Sequence, residues 1–201
     1  MKIAVFVSGR GSNLKAILDS PELKYLVKVE AVLSDKPDCL AFNIANQYNI
    51  KTFTIGDSEK KLKPNEIVPV LKNLNIELIV LAGYLKLIPS ELLESFENRI
   101  INIHPALLPS FGGKGMYGIN VHRAVFNSSA KVSGATVHIV DKSYDTGKIV
   151  AQKCVDISDV KSPEEIAERV LEIEHSILPA VVKAFAEGRV RTENNRIFIV
   201  K

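Results

Sequence analysis

Three observations on this chain predict an α/β fold with a mostly parallel sheet. Short apolar runs alternate with longer periodic segments, the pattern of strand–helix–strand units. A small-residue turn, Ser8-Gly9-Arg10-Gly11-Ser12-Asn13, separates the first apolar run from the first periodic segment. At 201 residues and 46% hydrophobic, the chain can bury one large core. It shows no repeat, linker or second compositional block, so residues 1–201 are expected to form a single domain.

Residues 2–8 are predicted to be a buried strand, turning at Gly9-Arg10-Gly11 into a helix that starts near Ser12. A second strand spans 27–33 and leaves through Ser34-Asp35-Lys36-Pro37. A helix over 40–48 and a short strand over 51–55 follow. Residues 64–74 read as helical, with Pro64 near the first turn, where a missing N–H costs little. The fourth strand covers 77–81 and is broken by Gly83-Tyr84, and Pro89 opens a short helix through Phe96. The apolar run Arg99-Ile100-Ile101-Asn102-Ile103 is a strand that ends at His104. Two prolines and four glycines between Pro105 and Asn120 mark a long functional loop. Residues 132–140 and 148–155 are expected to pair around a loop carrying Asp145. Ser162-Pro163-Glu164-Glu165 combines a capping serine, a first-turn proline and carboxylates against the helix dipole. The helix it starts should run to about 187 with a kink at Pro179. Gly188 stops it before a terminal hairpin over 189–200.

Composition excludes several classes. With 26 basic and 23 acidic residues, the net charge of +3 is too small to argue for nucleic acid. The densest basic cluster, Lys60-Lys61-Leu62-Lys63, reads as a solvated face that could also serve a small anion. Cys39 and Cys154 are the only cysteines, which supports neither a disulfide framework nor a thiolate metal site. The first apolar run is too short for a membrane span or signal segment, so a cytoplasmic protein is expected.

Two motifs carry chemistry. Asn102-Ile103-His104-Pro105 and Tyr144-Asp145-Thr146-Gly147 supply an amide, an imidazole and a carboxylate, the groups that polarise a carbonyl and move a proton. In open α/β sheets, ligands bind outside the carboxyl ends of strands, which is where His104 falls. The glycine turn supplies the second: small residues let backbone approach an anion, and the first N–H groups of the helix lack internal partners. It is no dinucleotide fingerprint, because Leu14 stands at the third glycine position and neither Glu30 nor Asp35 is a convincing ribose acid. Nor is 108–115 a Walker loop, since Leu108 replaces the first glycine and Gly115 the Ser or Thr. A monophosphate site is expected, with a purely geometric turn as the alternative.

Ser8-Gly9-x-Gly11-Ser12-Asn13-Leu14, Leu81-Ala82-Gly83-Tyr84, Asn102-Ile103-His104-Pro105-Ala106-Leu107-Leu108-Pro109 and Asp145-Thr146-Gly147 occur in that order. Together they resemble the phosphoribosylglycinamide formyltransferase family, over essentially the whole chain. The resemblance implies a single-domain, Rossmann-like formyltransferase fold with a mostly parallel central sheet, helices on both faces and an antiparallel C-terminal portion. The N-terminal half would bind phosphate and the C-terminal half complete the folate site. The implied reaction joins the formyl group of 10-formyltetrahydrofolate, a co-substrate, to the amine of 5-phosphoribosylglycinamide in purine biosynthesis. It needs no metal, nucleic acid or membrane, and the implied assembly is a monomer or homodimer.

By the same resemblance, Asn102, His104 and Asp145 are catalytic, and Gly11, Ser12, Asn13 and Glu174 bind the ribonucleotide. Lys60, Leu85, Lys86, Leu87, Ile88, Asn102 and Asp141 fall on folate-binding segments. On sequence alone Glu174 reads as an exposed helical residue. The chain departs from the commoner pattern in a longer, glycine-rich loop over 110–118 and in Lys142-Ser143-Tyr144 before the aspartate. Asp145 is expected to favour the His104 imidazolium by raising its pKa. His122, His138 and His175 are expected to be structural or supporting. A folate hydrolase, a tRNA formyltransferase and a sugar-nucleotide formyltransferase share the core motifs; the chain's span from first strand to Lys201 and its phosphate loop favour the ribonucleotide transferase. A binding module without chemistry is the non-enzymatic alternative.

Overall fold

The structure, a computed structural model, describes residues 1–201. Seven strands form one sheet: β1 (Lys2–Val7), β2 (Lys28–Ser34), β3 (Lys51–Thr54), β4 (Leu78–Leu81), β5 (Ile100–His104), β6 (Val132–Ile139) and β7 (Ile149–Asp156). Their order is β3-β2-β1-β4-β5-β6-β7, and β8 (Val190–Glu193) with β9 (Arg196–Ile199) makes a separate antiparallel pair. The helices are α1 (Ser12–Asp19), α2 (Ala41–Gln47), α3 (Ile67–Asn73), α4 (Ser90–Ser95), α5 (Ile119–Asn127) and α6 (Pro163–Ala186). The chain divides into two compact units, Met1–Ile101 and Asn102–Lys201, a division that falls within β5.

In the first unit, β1 pairs in parallel with β2 on one side and β4 on the other, and β2 pairs in parallel with β3. Strands covered on both faces read as unbroken apolar runs. Ile3, Ala4, Val5, Leu78, Ile79 and Val80 are accordingly fully buried. The strand order reverses at β1, so the chain leaves β1 and β4 in opposite directions and opens a crevice at their carboxyl ends. The glycine turn follows β1 at that point.

The second unit is built on β6 and β7, which pair antiparallel with a register shift between Val137 and His138. Gly134 permits the close pairing, since a Cβ there would collide with the Lys153 carbonyl. The long helix α6 packs on both strands. It starts as expected: the Ser162 hydroxyl accepts from the Glu165 N–H at 3.2 Å, with Pro163 in the first turn. It runs through Pro179 as one helix. The terminal hairpin turns at Asn194 and Asn195, both in the left-handed region (φ 48 and 63) that Asn tolerates best after glycine.

Departures from expectation have local causes. The 64–74 helix is a 3-10 turn (Pro64–Glu66) followed by α3, because the Glu66 carboxylate reaches back to accept the Lys63 N–H at 2.9 Å. The third strand stops at Thr54, with Ile55 making only an isolated bridge to Leu62. Other boundaries agree within one or two residues. No helix is long and apolar enough to cross a membrane.

Candidate active site

The end of β5 carries Asn102 and His104, the latter 3% exposed. Asp145 comes to them from the loop after β6. Its carboxylate lies 3.5 Å from His104 Nδ1 and 3.6 Å from Nε2 of a second imidazole, His138. Two features force that loop back. Asp141 accepts from the Ser143 N–H at 3.0 Å and from the Thr146 hydroxyl at 2.7 Å, closing an Asx-type turn. Gly147 leaves room where a Cβ would meet the Ile139 carbonyl. Asp145 itself sits at φ 58, a conformation Asp adopts more readily than most residues.

His138, expected to be structural or supporting, lies against both Asn102 and Asp145. Its Nδ1 lies 2.8 Å from the Ile139 carbonyl, which only accepts, so Nδ1 carries a hydrogen there. His138 Nε2 faces two groups, Asn102 Nδ2 at 3.1 Å and Asp145 Oδ1 at 3.6 Å. The same logic applies to His104, whose Nε2 donates to the Phe111 carbonyl at 2.9 Å. Two residues on, the Gly113 N–H donates to Asp145 Oδ2 at 2.9 Å. The glycine-rich loop thus returns its backbone onto both His104 and Asp145. Gly112 is required for this approach, since a Cβ there would lie 2.5 Å from Leu108 Cδ2 and 3.1 Å from Asp145 Cβ.

Asp145 acts on His104 in the expected direction, raising its pKa, but other influences oppose it. Burial pushes the His104 pKa below the ordinary histidine value; the Asp145 charge and the Phe111 carbonyl pull it up but do not win, and His138 adds to the lowering. For Asp145, burial raises the pKa, but the His138 hydrogen bond, the His104 charge and the Gly113 N–H together bring it below the usual carboxylate range. On α5, His122 is buried with Nδ1 unpartnered, and burial with the neighbouring His104 pushes its pKa down to about 4.

Glu174 is 8% exposed on α6, contrary to its reading as a surface residue. His175 beside it has its pKa lowered by burial. No group of three or more His, Cys, Asp or Glu side chains is arranged to hold a metal ion.

In the first unit, Gly11 precedes α1 at φ 81, where a Cβ would lie 2.6 Å from that of Ala41. Glycine is demanded by conformation and by contact at once. Ser12 and Asn13 open the helix, and no acidic residue stands in its first turn. Cys39 donates its thiol hydrogen to the Gly9 carbonyl, and the Ala41 N–H reaches the same oxygen, both at 3.2 Å. Ser8 joins the exits of β1 and β4: its hydroxyl donates to Asp35 Oδ1 at 2.6 Å and accepts the Leu85 N–H at 3.2 Å. Glu30 is paired with Lys2 and Lys28. Neither acid is therefore presented as a ribose ligand.

After β4, Leu85, Lys86 and Leu87 are exposed while Ile88 is buried. Tyr84 packs edge-on against Phe6 with ring centroids 5.4 Å apart, and burial first, with Asp35 adding, raises its pKa to about 12. Lys60 is an exposed turn residue. The Asp141 carboxylate is taken up by its own loop. A single letter could have flagged His138; the Phe111 and Gly113 contacts are made by backbone and carry no residue-type signal.

A parallel sheet with an Asn–His–Asp cluster at a strand end defines a class, and the chain belongs to the formyl transferase family, whose pattern matches residues 1–182. It is 42% identical, over 100% of its length and 70% of the relative's, to the chloroplastic phosphoribosylglycinamide formyltransferase of Arabidopsis thaliana. It is 37% identical to the Bacillus subtilis enzyme of the same name, with 90% of this chain and 93% of that one covered. Among solved structures, glycinamide ribonucleotide transformylase 1 from Symbiobacterium toebii superposes with a TM-score of 0.89 at 33% identity, covering 100% of this chain and 94% of that one.

Proposed function

We propose that this chain transfers a formyl group from 10-formyltetrahydrofolate to the amine of 5-phosphoribosylglycinamide, yielding formylglycinamide ribonucleotide and tetrahydrofolate in purine biosynthesis. The observation that carries the reading is the Asn102–His104–His138–Asp145 cluster, in a chain of this family whose relatives bear that name. The amine attacks the formyl carbon and the carbonyl oxygen gains charge. The Asn102 side-chain amide and the His104 Nε2–H, transferred from the Phe111 carbonyl, stabilise that oxygen. Ionised Asp145 orients His104 and takes up positive charge from the attacking amine through water. The proton then passes to the leaving folate nitrogen. The ribonucleotide phosphate is assigned to Gly11, Ser12 and Asn13, and its ribose hydroxyls to Glu174. Folate is assigned to Leu85–Ile88, the 141–145 loop and Lys60.

On this reading the enzyme is cytoplasmic, a monomer or homodimer, metal-free, and acts on small molecules rather than nucleic acid or membrane. The N-terminal half holds phosphate and the C-terminal half completes the folate site. The test is folate absorbance with and without phosphoribosylglycinamide. Deformylation that depends on the glycinamide supports the transferase; deformylation in its absence assigns a hydrolase, and silence in both a binding module.

A further inference from the structure

Gln152 lies in β7, the last strand of the sheet, outside every motif described above. Both hydrogens of its amide nitrogen are placed, one 2.8 Å from the Leu108 carbonyl and one 3.0 Å from Thr136 Oγ1. Thr136 is fully buried, donates to the Ala106 carbonyl at 2.6 Å and accepts the Leu108 N–H at 3.1 Å. A hydroxyl has one hydrogen and two lone pairs, so these three bonds saturate it. Leu108 is gripped at both its N–H and its carbonyl, and Ala106 at its carbonyl.

The clamp acts at a decisive place. Ala106 and Leu108 are the second and fourth residues after His104, and the chain runs from them into the glycine-rich loop. Between Pro105 and Gly118 there is no helix or strand to fix the backbone. That stretch nevertheless delivers the Phe111 carbonyl to His104 and the Gly113 N–H to Asp145. A cavity of about 790 Å³ borders Gln152, Leu108, Gly112, Gly113 and Asp145, so packing does not hold the loop from that side. Hydrogen bonds must.

We propose that Gln152 is a positioning residue: by fastening Leu108 to Thr136, its carboxamide sets where the loop meets His104 and Asp145, and so keeps the imidazole aligned for transfer. This inference rests on His104 being catalytic. Gln152→Met keeps length and bulk but removes both hydrogens, and Gln152→Glu leaves an acceptor where a donor is needed. With positional errors of about 1 Å able to cost ~10²-fold in rate, Gln152→Met is expected to lose about tenfold or more in kcat, with KM for the glycinamide within about threefold. Gln152→Glu should lose at least as much kcat as Gln152→Met, because its carboxylate oxygens face the Leu108 carbonyl with no hydrogen to give.

Parent-like kcat in Gln152→Met, whatever its Tm, would overturn the proposal, as would parent-like kcat in Gln152→Glu. His104→Ala run alongside separates the two readings. If it stays active, the assignment of the active site fails. If it is dead while Gln152→Met is unimpaired, only the positioning role fails.

Discussion

His104 is held by opposing influences, burial favouring its neutral form and Asp145 its charged one, and burial prevails. Transfer should therefore persist below pH 6.5, with the acid limb of the kcat profile under the ordinary histidine value. Asp145→Asn removes the charge that raises the His104 pKa, so that limb should move lower still. The variant's kcat should fall by about 10²–10⁴-fold, as befits loss of the group that supports proton transfer. A limb that moves upward would contradict this account. His122 predicts a stability effect of a different kind. Its pKa is about 4 in the folded chain against 6.5 ordinarily, so the unfolded chain takes up the proton first as the pH falls. Tm should decline as the pH drops from about 6.5 to about 4, and His122→Leu should flatten that decline. Asn102, His104 and Asp145 were legible because each is a reactive side chain in an ordered motif. Phe111 and Gly113 were not, because any residue has the carbonyl or N–H they use, and only folding shows where it lands.

The elements that carry the site are fixed by rules that can each be broken singly. Ser162 caps α6 through one bond to the Glu165 N–H, and Ser162→Ala should cost about 1 kcal/mol in chemical denaturation. Gly11→Ala meets a double obstacle, a left-handed φ and the Ala41 side chain at 2.6 Å. It should destabilise by about 1–3 kcal/mol and raise KM for the ribonucleotide while leaving formyl folate binding near normal. The strands of the first unit were readable because burial on both faces leaves unbroken apolar runs. The stretch over 64–74 was less so. Its periodicity is helical throughout, and only the side-chain bond from Glu66 to the Lys63 N–H tightens the first turn. Glu174 was misjudged as exposed because helical periodicity shows which residues share a face, not how deeply a long helix such as α6 is embedded.

For the molecule as a whole, alternating pattern and turn chemistry sufficed to predict a mostly parallel sheet ending in an antiparallel pair. The division into two compact units was invisible, because it falls inside a single apolar strand with no change of composition. Ser8 shows how the first unit closes its own crevice, one hydroxyl joining Asp35 to the chain after β4. The bond from His104 to the Phe111 carbonyl has a further consequence. That carbonyl behaves as a tethered competitor, present at fixed effective concentration and impossible to wash away. On the proposed function, a formyl oxygen would gain the imidazole hydrogen only by exchange, and the apparent dissociation constant of formyl folate would be its intrinsic value divided by the fraction of chains in which the hydrogen is free. Deformylated folate makes no claim on it and escapes the penalty. On that reading, discrimination between substrate and product would be weakened in the empty protein, and shortening the 110–118 loop should tighten binding of the formylated form selectively, as titration calorimetry with both folates would show.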